Sequence, residues 1–438
     1  MQNDQNHKLP IFGWVMYDWA NSAFATTIMA GFFPIFFKHF WSFGADAVVT
    51  TAKLGFANAA AGIVIALCAP ALGAIADRGR ARKKILLVFA LLGIVATSLL
   101  YFVVEGQWQM AAAFYILAII GFSGGNIFYD ALLTSVASEK KVDMVSSLGY
   151  ALGYLGGGIL FAINVWMTLQ PAAFGLSDAA ESIRLSFLCV GLWWMIFAIP
   201  LFLFVKEPGI HPDRSTSKII KDGLSQLKTT FRERRHLKNI FLFLAAYWLY
   251  IDGVDTIIVM AVNYGLSIGL QPQDLILALL ITQFIGFPSA IAFGFMGEKI
   301  GARRAIFAAL VVYLLITLWG ACMRQKWEFY LLAITVGLVQ GGIQALSRSF
   351  FTRLIPEDKS AQYFGFYNMV GKFAAIVGPL LIGATGLWLS AMGFSDMLAT
   401  RLSILSVSLL FLAGGILFFF VDEKRWGKID LLKGKESR

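Results

Sequence analysis

The sequence predicts an all-α membrane protein with twelve transmembrane helices in two pseudo-symmetric six-helix halves. Hydrophobic residues make up 58% of the 438 residues and charged residues 14%, whereas a soluble domain carries about 25% charged residues. Twelve apolar segments are each long enough to cross a bilayer, which takes about 20 helical residues. A basic turn at residues 73–84 returns in similar form at residues 294–304. This repetition, half a chain apart, indicates that one structural unit is used twice.

The predicted segments cover, in chain order, residues 11–37, 54–76, 84–104, 108–135, 146–168, 184–205, 239–264, 274–296, 305–323, 327–353, 363–387 and 400–421. They divide the chain into an N-terminal half (1–205), a linker (206–238), a C-terminal half (239–421) and a tail (422–438). The first segment is predicted to remain a membrane helix, because it contains polar residues and lacks a small-residue cleavage site.

The basic residues predict the orientation in the membrane. With a cytoplasmic N-terminus, the inside segments hold 28 Lys and Arg residues and the outside loops hold six, so both termini are expected to be cytoplasmic. The net charge of +10 is spread over turns and forms no continuous face, which argues against nucleic acid and favours anionic lipid headgroups of the inner leaflet. We expect a monomer in a prokaryotic plasma (inner) membrane.

The linker has two interpretations. Its middle, residues 215–236, places Ile219, Leu224, Leu227 and Phe231 at roughly helical spacing among basic residues. This pattern suits an amphipathic helix on the inner leaflet. A solvated linker would explain the charges equally well.

The two basic turns share a pattern in which a glycine precedes an acid-base pair by four residues, with further basic residues beyond. The residues that carry it are Gly73, Asp77, Arg78 and Arg82 in the first copy, and Gly294, Glu298, Lys299, Gly301, Arg303 and Arg304 in the second. The pattern resembles the cytoplasmic loop signature of the major facilitator superfamily. The first copy departs from the signature at Arg80, which stands where the second glycine belongs. The resemblance implies the major facilitator fold, with no cofactor and a cavity lined by the first, fourth, seventh and tenth helices.

The first helix narrows the resemblance. Residues 17–24, Tyr-Asp-Trp-Ala-Asn-Ser-Ala-Phe, are similar to the opening of the branch named for the autophagy-related vacuolar amino-acid effluxer, in a prokaryotic short form. Further matches lie at residues 126–130, 149–158 and 364–379. This resemblance implies transport of amino acids, although the motifs do not fix a substrate.

Charged residues inside the predicted helices are candidates for binding substrate or protons, because a charge within the bilayer is costly and rare without a function. Asp18 shares one face of the first helix with Asn21, next to Tyr17; Asp252 and Asp255 lie in the seventh helix and Lys372 in the eleventh. Possible hydrogen-bonding partners of a substrate are Asn126, Tyr150, Tyr154, Gln283, Gln340, Gln344 and Asn368.

These charges suit a zwitterion. A cation can hold the carboxylate of an amino acid and an anion its ammonium group; Lys372 is predicted for the first role, and Asp18 or Asp252 for the second. A carboxylate in such a place can also exchange protons and couple transport to a proton gradient. Alternatively, Lys372 neutralises an aspartate and Asp18 belongs to a helix-packing cluster.

Two further buried charges are predicted to latch the basic turns in one transport state. Asp130 could pair with Arg78 or Arg80, and Arg348 with Glu298, since ion pairs that form in one state bias alternating access. Both residues could instead contact substrate. A bend is also expected near Gly378 and Pro379.

The sequence therefore predicts a secondary transporter of small solutes, with amino acids or similar zwitterions as substrate and protons as coupling ion. A proton antiporter that exports cationic or amphipathic compounds would use Asp18 and dispense with Lys372. A membrane scaffold or receptor would use the basic linker. An enzyme is not expected: the Gly-x-Ser-x-Gly match at residues 121–125 lies within an apolar helix, without the strand that this motif requires.

Overall fold

The computed structural model describes residues 2–207, 222–223, 225–226, 234–267, 270–323, 325–374 and 377–423. Throughout these residues the regular secondary structure is helical, with no strand, and twelve helices are long and apolar enough to cross a membrane. The predicted fold class and number of spans are therefore confirmed. The amphipathic helix expected at residues 215–236 lies largely outside the described residues.

The first six helices are α1 (Gln2–Ala23, Phe24–Phe32, Phe33–Phe36 and Phe37–Trp41), α2 (Ala47–Gly79), α3 (Arg82–Leu99), α4 (Trp108–Val136), α5 (Val142–Leu169) and α6 (Ala179–Phe204). Within α1, the stretches Phe24–Phe32 and Phe37–Trp41 are π-helical and flank Pro34. Because proline lacks a backbone N–H, a helix changes its hydrogen-bond register there at little cost. The position of Pro34 thus accounts for the irregular second half of α1.

The last six helices are α7 (Arg234–Ser267), α8 (Pro272–Ile300), α9 (Ala302–Cys322), α10 (Lys326–Leu354), α11a (Ser360–Phe373) with α11b (Val377–Ala391), and α12 (Asp396–Leu405 and Ser408–Phe419). Most helices begin and end a few residues beyond their predicted bounds. Apolar length measures the hydrocarbon core alone, whereas hydrogen-bonded helix continues into the headgroup region.

The chain forms two compact units. Unit 1 contains Met1–Ala137, Gly149–Leu227 and Ala361–Asn368, and unit 2 contains Ser138–Leu148, Lys228–Ser360 and Met369–Arg438. In unit 1, α3 and α4 pack together and α1 packs on α6; in unit 2, α8 packs on α10 and α7 on α12. Unit 1 includes the beginning of α11a, and unit 2 includes the beginning of α5. Each unit therefore holds a short segment from the other half of the sequence.

The two basic turns share one backbone feature. Arg80 has φ 46° and closes the C-terminus of α2, while Gly301 has φ 89° and closes the C-terminus of α8. These residues occupy the same position of the repeated motif. A positive φ is easy for glycine and strained for arginine. The first copy therefore keeps a positive φ at this position despite the missing glycine, although ψ differs: 49° at Arg80 and 142° at Gly301.

Candidate functional site

A polar cluster joins α1 to α4 within unit 1. The Tyr129 hydroxyl donates to Asp18 Oδ2 at 2.9 Å, and Asn21 Nδ2 donates to Asn126 Oδ1 at 2.7 Å. Trp14 donates its indole N–H to the Tyr129 carbonyl oxygen at 2.9 Å. Asp18 and Asn21 are one helical turn apart, so both side chains point towards α4. The predicted polar face of α1 is thus a hydrogen-bonded cluster with α4.

Aromatic rings surround the Asp18 carboxylate in this cluster. The ring centroids of Trp14 and Tyr129 are 4.4 Å apart in a stacked arrangement, and those of Tyr17 and Tyr129 are 5.1 Å apart. Trp14 and Tyr17 are fully buried. The Asp18 carboxylate therefore accepts the hydroxyl of Tyr129, whose ring packs against two buried aromatic side chains.

A second polar cluster lies in unit 2, where α11 is interrupted. Asp252 on α7 accepts hydrogen bonds from the backbone N–H groups of Val377 and Gly378, each at 3.0 Å. Thr256 Oγ1 donates to the same carboxylate at 3.2 Å. The two N–H groups belong to the first turn of α11b, where an α-helix has no internal acceptors. Asp252 therefore caps α11b from a neighbouring helix.

Gly378 allows the close contact between α7 and α11b. A Cβ atom at this position would overlap Thr256 Oγ1 and would lie 3.0 Å from Asp252 Oδ1. A glycine is therefore required for the carboxylate to reach both N–H groups. The break lies where the sequence predicts a bend, and Pro379 is tolerated because it falls in the first turn of α11b.

Lys372 lies on the other side of this break. It is half-buried in the last turn of α11a, where a cation is favoured by the helix dipole. Its ammonium group interacts electrostatically with the half-buried Asp255 carboxylate, one helical turn beyond Asp252 on α7. The two aspartates of α7 thus differ in setting: Asp252 is held by backbone donors, and Asp255 interacts with the Lys372 ammonium group.

The first basic turn is fixed in unit 1 by Asp77. This carboxylate accepts the backbone N–H groups of Ala361 at 3.1 Å and Gln362 at 2.9 Å, and it forms an ion pair with Arg82 at 2.7 Å. A Cβ atom on Gly73 would overlap the Ala361 carbonyl oxygen. Three motif positions therefore connect the end of α2 to the start of α11a.

The connection in unit 2 uses different residues. Asp143 at the start of α5 accepts from Ser349 Oγ at 2.6 Å and pairs with Arg353 at 2.5 Å. Arg348 donates from Nε to Ser146 Oγ at 3.0 Å and from Nη2 to the Ser146 carbonyl oxygen at 2.9 Å. Sequence reasoning did not single out Asp143, Ser146 or Arg353. Their signal was an acid in the first turn of α5 and a base in the last turn of α10.

The remaining predicted latch residues lie as follows. Asp130 is buried and accepts from Asn368 Nδ2 at 3.2 Å within unit 1, while Arg78 and Arg80 are exposed. Glu298 and Lys299 are exposed. Gly294 lies against Ser147, since a Cβ atom added to Gly294 would be 2.9 Å from Ser147 Cβ. Pairing of Asp130 with Arg78 or Arg80, and of Arg348 with Glu298, stays a prediction. Gly301 closes the second turn, and Arg303 donates to the Phe419 carbonyl oxygen.

The other predicted substrate-binding residues divide between the units. Tyr150 and Tyr154 are half-buried on α5 in unit 1, Gln283 is buried on α8, and Gln340 and Gln344 are half-buried on α10 in unit 2. Unit 1 therefore brings together the Asp18 cluster, and unit 2 brings together Asp252, Asp255 and Lys372. Among the residues described, no group of three His, Cys, Asp or Glu side chains could hold a metal ion.

Comparisons with known proteins identify the family and the fold of the chain. The family model described as "Vacuole effluxer Atg22 like" matches residues 42–431. The chain is 36% identical over 414 residues to the "Uncharacterized MFS-type transporter YxiO" of Bacillus subtilis, covering 94% of both chains. It is 30% identical over 279 residues to "Autophagy-related protein 22-2" of Aspergillus clavatus, covering 57% of this chain and 45% of that relative.

Solved structures share the fold. The proton:xylose symporter XylE bound to 6-bromo-6-deoxy-D-glucose superposes with a TM-score of 0.69 at 12% identity, and the alignment covers 98% of both chains. Structural similarity at such low sequence identity shows only that the fold is shared. Together with the family match, it shows an integral multi-pass transporter and not an enzyme. The chain belongs to the vacuole effluxer Atg22-like family of major facilitator superfamily transporters.

Proposed function

We propose that this secondary transporter carries amino acids or similar small zwitterions and that protons drive the transport. The observation that carries the proposal is the opposite charges of Lys372 and Asp255 beside the interruption of α11. Interrupted helices with charged groups at their ends are a recurrent way of binding small polar substrates in membrane transporters.

A zwitterion is chemically matched to this pair. Its carboxylate can bind the Lys372 ammonium group and its ammonium group the Asp255 carboxylate, so that two ion pairs replace the electrostatic interaction between Lys372 and Asp255. Each charge stays compensated, which matters because an uncompensated charge in a low-dielectric setting is costly. Asp252 is not free for this role, since its oxygens already accept from Val377, Gly378 and Thr256.

Asp18 is our candidate for the proton-binding residue. Its carboxylate lies in α1 among the rings of Trp14, Tyr17 and Tyr129, with the Tyr129 hydroxyl as donor. Protonation would remove the cost of holding this charge among apolar groups. Protons would then bind at the Asp18 cluster and substrate at Lys372 and Asp255. Variants of one cluster can therefore be tested for effects on one kind of binding without the other.

The test is counterflow in proteoliposomes. Vesicles are loaded with unlabelled amino acids, and the uptake of labelled ones is compared between the wild type, Lys372→Ala and the control Lys326→Ala. Lys326 is also in unit 2 and also pairs with an aspartate, Asp274, but it lies at the start of α10. We expect one class of amino acids to accumulate, a loss of about tenfold or more in Lys372→Ala, and no loss in the control. Folded wild type that accumulates no amino acid would refute the proposal.

Proton-driven export of cationic, amphipathic compounds is a second candidate function. The aromatic rings around Asp18 favour it, because π-faces and a carboxylate together attract organic cations. Under this alternative, Asp18→Asn abolishes transport of the cation and Lys372→Ala does not. The same counterflow assay with a lipophilic cation decides between the two.

The membrane environment is part of the proposal. A prokaryotic plasma membrane with both termini in the cytoplasm would place the exposed Arg78, Arg80 and Lys299 next to anionic inner-leaflet headgroups. We propose that the protein works as a monomer there. Labelling of single cysteines introduced at residues 80 and 43 from either side of intact cells tests the orientation.

A further inference from the structure

The two aspartates of α7 have different contacts, and this difference supports a further inference. Asp252 and Asp255 are three residues apart, so both side chains face α11 from the same side of α7. Asp252 is 1% exposed and accepts from two consecutive backbone N–H groups and a hydroxyl. Its hydrogen bonds therefore define where α11b begins.

The same contacts determine where Lys372 lies. Lys372 is in the last turn of α11a, and the residue capped by Asp252 is Val377, which opens α11b. Four residues of chain lie between the two, so the position of one helix end restricts the other. Gly378 keeps α11b in contact with Thr256 and Asp252, because any Cβ atom there would overlap the Thr256 hydroxyl.

We propose that Asp252 is the positioning residue of the substrate site: by capping α11b, it holds the break in α11 so that Lys372 stays opposite Asp255. The inference rests on the proposed function for its transport consequence. Its structural content, the dependence of the Lys372–Asp255 distance on Asp252, is independent of any substrate.

The structural content is tested by cross-linking. Cys68, Cys189 and Cys322 are first replaced by alanine, and Asp255→Cys and Lys372→Cys are then introduced together. Cross-linking of the two cysteines by a bifunctional thiol reagent is expected in this protein, since such a reagent spans the length of the lysine side chain that the substitution removes. Adding Asp252→Ala should lower its rate about tenfold, whereas adding the control Thr282→Val should leave it unchanged, since the Thr282 hydroxyl bonds carbonyl groups of α8 and α10 instead. An unchanged rate with Asp252→Ala would overturn the inference.

A milder variant guards against loss of folding. Asp252→Asn keeps the size of the side chain but presents only one accepting oxygen, so one of the two N–H groups of α11b loses its partner. Hydrogen exchange followed by mass spectrometry should then show faster exchange confined to the peptide with Val377 and Gly378. Exchange as slow as in the wild type would also overturn the inference.

The effect on transport is measured with the same variant, Asp252→Asn. A misplaced binding group weakens substrate binding more than the later steps, so Asp252→Asn should raise KM for the counterflow substrate about tenfold while the maximal rate changes little. An unchanged KM with a lowered maximal rate would contradict positioning. Absence of amino-acid transport in the wild type would refute the proposed function, and the cross-linking result would still decide the role of Asp252.

Discussion

Asp77 at the end of α2 accepts the backbone N–H of Gln362 at 2.9 Å and that of Ala361 at 3.1 Å. A residue of the first basic turn thus caps a helix whose sequence lies 285 residues further along the chain. The Arg82 guanidinium, 2.7 Å from Asp77 Oδ1, balances the charge of the buried carboxylate. The carboxylate of Asp77 therefore links the first basic turn, in the N-terminal half of the sequence, to the start of α11a, in the C-terminal half.

This contact predicts a loss of stability on replacing Asp77. Asp77→Ala removes the cap of α11a and the ion pair between Asp77 and Arg82, which should cost about 2–4 kcal/mol of folding free energy. A clearly lowered melting temperature in detergent is expected. Asp46→Ala is the matched control, because Asp46 precedes α2 at an exposed N-cap without a side-chain hydrogen bond. Equal melting temperatures for the two variants would contradict the capping role.

The strained turn predicts a stabilising substitution. Arg80 has φ 46°, in the region that glycine adopts freely, so Arg80→Gly should raise stability by about 0.5–1 kcal/mol. Arg78→Gly, two residues earlier in the last turn of α2, should lower stability slightly instead, because glycine loses more backbone entropy than arginine on forming a helix. Thermal melting of both variants checks the sign. A lower melting temperature for Arg80→Gly would show that its side chain matters more than its backbone.

The ion pair between Asp143 and Arg353 predicts that the stability losses caused by replacing each residue are not additive. Asp143 is almost fully buried, and Arg353 lies 2.5 Å from it, so removing either partner deprives the other of its nearest counter-charge; Glu423, 3.9 Å from Arg353, compensates only in part. Asp143→Ala and Arg353→Ala should each cost about 2–4 kcal/mol, and the double variant clearly less than their sum. A double-mutant cycle of melting free energies measures this coupling. Additive losses would mean that the pair contributes nothing as a pair.

The proposed role of Asp18 as the proton-binding residue predicts that an Asp18 variant can still exchange substrate but cannot accumulate it with a proton gradient. Asp18→Asn cannot bind or release a proton but keeps an oxygen that accepts from Tyr129, so counterflow should persist. Accumulation driven by an imposed proton gradient should fall to the level of empty vesicles. Tyr129→Phe, which removes the donor at 2.9 Å, should keep accumulation and shift its pH dependence. Full accumulation by Asp18→Asn would place the coupling elsewhere.

The sequence was sufficient for the fold because length and apolar composition determine how many helices cross a bilayer. It also identified Asp18, Asp252, Asp255 and Lys372, since charges within apolar segments are easily seen. It could not assign their partners. The bonds of Asp252 to Val377 and Gly378 depend on how α7 packs against α11b, and the link from Asp77 to Gln362 spans most of the chain.

The same limit explains why the contacts of Asp143 with α10 were not predicted. Motif symmetry pointed to Glu298 as the counterpart of Asp77, but Glu298 is exposed, and Asp143 makes the contacts to α10. An internal repeat predicts the course of the backbone in each copy. Which side chain fills a polar contact depends on local packing, and this can differ between copies.

Competition among three forms of one substrate tests the central claim most directly. Once counterflow has named an accepted amino acid, its labelled uptake is measured in the presence of the unlabelled amino acid, its amide, which lacks the carboxylate, and its N-acetyl form, which lacks the ammonium group. Binding between Lys372 and Asp255 predicts that the zwitterion competes and that both modified forms compete about tenfold or more weakly. Competition by the amide as strong as that of the amino acid would contradict the account and favour a carrier of cations.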